Sequence, residues 1–197
     1  MCCLFGLVDV GRSFSGKEKS KMLHILASES EIRGTDAAGV AYSLGGRLRI
    51  HKRPIPGHRL SIRVGNDTVA IMGHTRMTTQ GRACRNWNNH PFSGVAGDTP
   101  FALAHNGMLY NDRYLRRKLH LPRTRIETDS YAAVQLLEQQ GTLGFDSLRY
   151  MAEKVEGSFT FSVLDGKDHL YLVKGDNPLC LYYFPQRKLY LYASTEE

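Results

Sequence analysis

Apolar residues along this chain follow two rhythms: short continuous or alternating runs, and longer stretches in which they recur three or four positions apart. Leu4-Phe5-Gly6-Leu7-Val8 is a continuous run and predicts a buried strand. Ser15 followed by Glu18 offers a capping box, and Met22, Leu23 and Leu26 then recur at helical spacing, so a helix is expected that ends before Gly34. Gly39–Leu44 and Arg47–Lys52 flank Gly45-Gly46 and read as a hairpin. Pro54, Pro56 and Gly57 interrupt the pattern. Thr68–Gly73 predicts another buried strand, running into His74-Thr75-Arg76.

Residues 82–100 are polar and rich in Asn, Gly and Pro, and are expected to form a long loop; loops of that length inside a compact domain are often functional. Phe101–Ala104 predicts a strand that ends at His105-Asn106-Gly107. Asn111 is expected to cap a helix running to about Leu119. Thr128 is expected to cap a second, with Tyr131, Val134 and Leu137 on one face and Gly141 after its end. A third starts at Asp146, turns Leu148, Met151 and Val155 inward, and stops at Gly157. Ser158–Leu164, His169–Lys174, Leu181–Phe184 and Lys188–Ala193 then read as strands, with Leu189 and Leu191 alternating against Tyr190 and Tyr192. Strands at both ends with helices between them predict one α+β domain over residues 1–197, with helices on the faces of antiparallel sheets.

Composition changes this picture little. The 197 residues are 42% hydrophobic and 23% charged, as in an ordinary globular chain. No apolar run reaches the roughly 18 residues a membrane helix requires, and no secretory signal is visible, so a cytoplasmic protein is expected. The formal net charge is +7, with basic residues gathered in Arg47–Arg63 and Arg113–Arg125. Such stretches attract polyanions or simply solvate a surface; they lack the interleaved aromatics of a stacking platform, which weighs against nucleic acid. The four cysteines contain no C-x-x-C pair, which argues against structural zinc.

Cys2 adds chemistry. Directly behind the initiator methionine, it becomes N-terminal once Met1 is removed, and one residue then carries both a thiol nucleophile and an α-amine with a pKa of roughly 7.7–8.0. A nucleophile served by an N-terminal amine is a recognised catalytic arrangement. The alternative is that Cys2 and Cys3 merely begin a buried strand.

Five stretches decide between these readings: Met1-Cys2, Arg33-Gly34-Thr35-Asp36-Ala37-Ala38-Gly39, Gly73-His74-Thr75-Arg76, His105-Asn106-Gly107 and Glu127-Thr128-Asp129. Asn89-His90-Pro91, Gly157-Ser158-Phe159 and Gly175-Asp176-Asn177-Pro178-Leu179 are weaker echoes. In this order the chain resembles the class II glutamine amidotransferase (glutaminase) domains, the N-terminal-nucleophile hydrolases found in glucosamine-6-phosphate synthase and its relatives.

The resemblance implies a four-layer αββα sandwich of two antiparallel sheets between helices, and an activity that releases ammonia from L-glutamine without metal or organic cofactor. It implies Cys2 as nucleophile, with Asn106 and Gly107 supplying an oxyanion hole from one side-chain amide and one backbone N–H. It implies Arg76 and Thr79 on the substrate α-carboxylate and Asp129 on its α-ammonium. Taken alone, Asn106-Gly107 is also a hairpin turn, Arg76 a surface arginine, and Asp129 an acid favoured in a first helical turn. His74 and His105 are expected to be core scaffold rather than acid–base groups.

The chain departs from the pattern at Met77 and Gln80, where relatives carry tryptophan and histidine. No synthase domain follows Tyr192-Ala193-Ser194, so the chain is either cut near a domain edge or a compact free-standing version. An ammonia-accepting synthase partner is one expectation. Hydrolysis of another γ-glutamyl amide, or a catalytically silent binding or regulatory module with the same fold, are the alternatives.

Overall fold

The structure, a computed structural model, describes residues 2–195, so Met1, Glu196 and Glu197 lie outside the described residues. The question of whether Met1 is removed therefore falls outside them too.

Among the described residues, ten strands form two antiparallel sheets. The first sheet holds β1 (Cys3–Asp9), β2 (Ala37–Leu44), β3 (Arg47–Arg53), β4 (Ala70–Arg76), β9 (Cys180–Phe184) and β10 (Leu189–Ala193), in the order β3-β2-β4-β1-β10-β9. The second holds β5 (Phe92–Ala96), β6 (Thr99–Leu109), β7 (Gly157–Asp165) and β8 (Leu170–Lys174), in that order. The strand that follows Cys2 is central, with Cys3 opposite Thr75 of β4 and Phe5 opposite Ala193 of β10. The first and last strands are thus neighbours in one sheet.

Three apolar clusters order the layers. Phe5, Leu7, Val40 and Ile71 on one face of the first sheet pack with Leu23 and Ala27 of α1 (Gly16–Glu29). Leu4, Ala41 and Met72 on its other face meet Ala102, Ala104 and Leu164 of the second sheet. Leu103, Phe161 and Val163 on the far face of that sheet pack with Val134 and Leu137 of α3 (Tyr131–Gln140) and Leu148 and Met151 of α4 (Phe145–Lys154). The result is a helix–sheet–sheet–helix sandwich, the expected α+β architecture. No helix among the described residues is long and apolar enough to cross a membrane.

Local rules account for several boundaries. Ser15 and Glu18 form the expected reciprocal capping box at the start of α1. Gly45 and Gly46 both have positive φ, which lets β2 and β3 join in a two-residue turn with Leu44 opposite Arg47. Leu189 and Leu191 face the α1 layer as their alternation suggests, but Tyr192 is fully buried between the sheets, because both faces of the first sheet are covered.

Five expectations are corrected. Residues 82–100 are not an open loop: they contain a 3-10 turn at Asn86–Asn88 and strand β5. Phe92, Gly94 and Ala96 point inward; the middle position is Gly94, where a side chain would strike the Phe101 ring, so the alternation that would have marked the strand is broken at its centre. Strand β6 does not stop at His105-Asn106-Gly107 but runs through it to Leu109. Thr128 does not cap α3, and its hydroxyl has no partner among the described residues. Asn111 precedes α2 (Asp112–Lys118) without capping it; its side chain instead ties Lys154 and Glu156, fastening α2 to the end of α4. Gly157 opens β7 at φ 136° rather than ending a helix.

Candidate active site

Strand β1 delivers Cys2 to the end of the first sheet beside the end of β4. The thiol Sγ donates to the Met77 carbonyl at 3.5 Å, and Arg33 Nε donates to the Cys2 carbonyl at 3.0 Å. Gly34 makes this approach possible, since a Cβ there would lie 2.4 Å from Arg76 C and Met77 N. Asp36 holds the following loop by accepting the Thr78 N–H at 2.7 Å. The Arg33–Asp36 motif therefore works as a backbone clamp on Cys2 and on the loop after Arg76. Burial pushes the Cys2 thiol above its ordinary value; the Met77 backbone and the Arg76 charge pull it down, and Asp129 pushes it up. The thiol needs a base before it can attack.

Arg76 ends β4 and is buried rather than a surface arginine. Its Nη1 donates to Asn89 Oδ1 at 2.6 Å, and its Nη2 to the carbonyls of Gln80 and Gly81. Gln80 thus contributes through its backbone, whatever its side chain. Burial draws the guanidinium below its usual range, while Cys2, Asp36 and Asp129 act in the opposite sense. Thr79 is exposed in the same loop, three residues past Arg76, and Met77 beside it is exposed as well.

The 3-10 turn at Asn86–Asn88 and the next residue form a hub. Asn86 donates to the Lys52 carbonyl, Asn88 exchanges hydrogen bonds with Glu127, and Asn89 donates to the Ala83 carbonyl while holding Arg76. Lys52 Nζ fastens the hub from β3, donating to the Asn89 and Pro91 carbonyls at 2.5 and 3.0 Å. Asn89-His90-Pro91 was the trace of this hub in the sequence.

Asp129 lies just before the Ser130 N-cap of α3 rather than within the helix, and is buried. Its Oδ2 accepts the Leu109 N–H at 2.6 Å. That places it against the free side of β6, for β5 reaches only to Leu103 while β7 follows β6 to Leu109. Tyr110 N–H points the other way, to Glu156. Backbone N–H groups two residues apart in a strand point the same way, so Gly107 N–H shares the open side with Leu109 N–H. Gly107 has φ 145°, and a Cβ there would lie 2.0 Å from the Ser158 carbonyl. Asn106 is fully buried; its carbonyl accepts from Asn177 Nδ2 at 2.8 Å, and its Nδ2 donates to Ser194 Oγ at 3.3 Å.

The histidines are buried scaffold. His74 Nε2 donates to the His105 carbonyl at 3.0 Å, and His105 Nδ1 lies 2.8 Å from Ser130 Oγ. His90 sits between His74 and Phe92, ring centroids 4.2 and 4.4 Å away, with no partner for either nitrogen among the described residues. Burial lowers His74 to about 3, His105 to about 4, and His90 well below its ordinary value. All three are neutral at pH 7.

Residues 74–197 match the family model described as a glutamine amidotransferase domain, a span that includes Arg76, Thr79, Asn106, Gly107 and Asp129 and begins after Cys2. The glutamine–fructose-6-phosphate aminotransferase of Chlamydia trachomatis serovar D is 31% identical over 192 residues, covering 92% of this chain and 30% of its own length. That of Halobacterium salinarum is 29% identical over 166 residues, covering 82% and 27%. The chain thus spans less than a third of these curated relatives. Among solved structures, the allosteric regulatory enzyme of purine biosynthesis superposes with a TM-score of 0.76 at 20% identity, over 98% of this chain and 42% of that one. Glutamine phosphoribosylpyrophosphate amidotransferase from B. subtilis, complexed with ADP and GMP, gives 0.71 at 20% identity, with the same coverage. These two likenesses concern the fold. With the family match over most of its length, the chain belongs to the glutamine amidotransferase domain family, class II, and is homologous to the glutaminase domains of enzymes.

Proposed function

We propose that this domain hydrolyses the side-chain amide of L-glutamine through Cys2, with Met1 removed, and passes the ammonia to a synthase partner. The observation that carries the reading is that the Cys2 thiol donates to the carbonyl of Met77, next to the buried and anchored Arg76, while the buried Asp129 carboxylate lies on the open side of β6, the strand that carries Asn106 and Gly107. Opposite charges beside a nucleophile suit an α-amino acid: Arg76 takes the α-carboxylate with Thr79, and Asp129 the α-ammonium.

In this reaction the α-amine of Cys2 accepts the thiol proton as Sγ bonds to the amide carbon. The carbonyl oxygen becomes an oxyanion, met by Asn106 Nδ2–H and Gly107 N–H. Collapse breaks the C–N bond, the proton leaves with ammonia, and a thioester remains on Cys2. Water hydrolyses it to glutamate and frees the thiol. A reducing compartment such as the cytoplasm would keep the Cys2 thiol available for this step. Residues 1–197 then form one amidotransferase domain.

The test is an intact mass before and after exposure to an electrophilic glutamine analogue. The expected result is loss of the Met1 mass and one covalent adduct, absent in Cys2→Ala. An adduct that persists in Cys2→Ala would end the nucleophile assignment.

A further inference from the structure

We infer that Ser194 is a positioning residue that fixes the oxyanion-binding amide of Asn106 relative to the strand carrying Cys2; the inference rests on the roles of Asn106 and Cys2 proposed above. Ser194 directly follows β10 and is buried, with 1% of its surface exposed. Its Oγ accepts the Leu4 N–H at 2.9 Å, and its own N–H donates to the Leu4 carbonyl at 2.9 Å. The same Oγ accepts Asn106 Nδ2–H at 3.3 Å. One hydroxyl therefore joins β1 of the first sheet, two residues after Cys2, to β6 of the second.

Around this link the sheets meet through Leu4, Met72, Ala102 and Ala104, whose apolar contacts favour burial without selecting an orientation, and through His74 Nε2, which donates to the His105 carbonyl at 3.0 Å and so fixes the β6 main chain but not the Asn106 side chain. A nucleophile and its oxyanion donors must keep their mutual geometry to within about 0.5 Å. Asn177 already holds the Asn106 main chain, and Thr160 Oγ1 holds Asn177 through its carbonyl at 2.8 Å. What remains to be set is the side-chain amide. Asn106 Oδ1 has no partner among the described residues, so the Ser194 bond is what selects the amide orientation. With one Nδ2–H spent on Ser194, the other is left for the oxyanion. Without the hydroxyl, the amide is free to turn and offer Oδ1, an acceptor, to a developing negative charge.

The test is a double-mutant cycle in the purified protein, with L-glutamine as substrate and ammonia as readout. Ser194→Ala removes one oxygen and keeps the backbone bond to Leu4. It is expected to lower kcat about 10-fold or more, as loss of an aligned oxyanion donor does. KM should stay within about two-fold, because Arg76 and Asp129 are untouched. In an Asn106→Ala background, Ser194→Ala should cost no further kcat, since there is no amide left to aim. A serine that only closes the sheet would lower the melting temperature and leave this coupling at zero. Unchanged kcat in Ser194→Ala, or the same fall in both backgrounds, overturns the inference. If Ser194→Ala does not fold, Ser194→Cys keeps the volume with a weaker acceptor and carries the same expectations. Full kcat in Asn106→Ala alone would instead remove the oxyanion reading, and the inference with it.

Discussion

Asn89 Oδ1 accepts a hydrogen bond from Arg76 Nη1 at 2.6 Å, so the guanidinium is anchored from behind by a residue thirteen positions further along the chain. An anchored arginine presents its remaining N–H groups in a fixed direction, as planar recognition of a carboxylate requires. Arg76→Lys keeps the charge and loses the fork. It is expected to raise KM for glutamine about 10–100-fold, the size of one or two charge-assisted hydrogen bonds, with a smaller change in kcat. Asn89→Ala should move KM in the same direction by less. Steady-state kinetics checks both, and an unchanged KM in Arg76→Lys would show that the substrate carboxylate binds elsewhere.

Asp129 shares one oxygen with Leu109 N–H at 2.6 Å and is expected to give the other to the substrate ammonium. Asp129→Asn preserves the shape but removes the charge. Glutamine binding should weaken about 10-fold or more, while a substrate analogue lacking the α-amino group should lose little. Equal losses for both compounds would show that the carboxylate serves β6 and not the ligand.

Gly107 leaves no room for a side chain: φ is 145°, and a Cβ would sit 2.0 Å from the Ser158 carbonyl. Gly107→Ala must shift β6 against β7 and carry the backbone N–H with it. The expected cost is about 1–3 kcal/mol of stability, read from urea unfolding, together with a fall in kcat. A stable, fully active Gly107→Ala protein would show that neither the conformation nor the N–H matters.

The buried histidines make the fold acid-sensitive. In the unfolded chain they take up protons near 6.5, whereas His105 resists to about 4 and His74 to about 3 in the folded protein. The unfolded state binds more protons in that window, so stability falls as pH drops from about 6.5 towards 4. Each histidine contributes a slope of at most about 1.4 kcal/mol per pH unit. Urea unfolding between pH 7 and pH 5 measures it. A flat profile would show that the three rings charge as readily folded as unfolded.

In the chain that keeps Met1, burial likewise raises the thiol of Cys2, so its reaction with a small alkylating agent should speed up with pH, with a midpoint above the ordinary value of 9.0. A midpoint below that value would mean that Arg76 outweighs desolvation at the sulfur.

Much of this molecule was legible locally. The capping box of Ser15 and Glu18, the Gly45-Gly46 turn and the helical spacing of Tyr131, Val134 and Leu137 depend on neighbours within a few residues, and each forms as its local chemistry dictates. The site residues were legible as short motifs, because a backbone that must approach closely, as at Gly34, or adopt φ 145°, as at Gly107, demands glycine. What the local signal missed is what distant residues supply. Asn106-Gly107 looks like a turn until β7 pairs beside it and makes it strand. Strand β5 is hidden because the middle of its three inward residues is Gly94, whose place is filled by Phe101. Asn111 and Thr128 have capping chemistry, but tertiary packing gives the Asn111 side chain a better partner in α4 and leaves the Thr128 hydroxyl without one among the described residues. Ser194 carries no mark of its own; its hydroxyl matters because the fold sets it between Leu4 and Asn106, 190 and 88 residues away in sequence. Residue type and short spacing determined which groups could do the chemistry, and the pairing and stacking of the two sheets decided which of them meet.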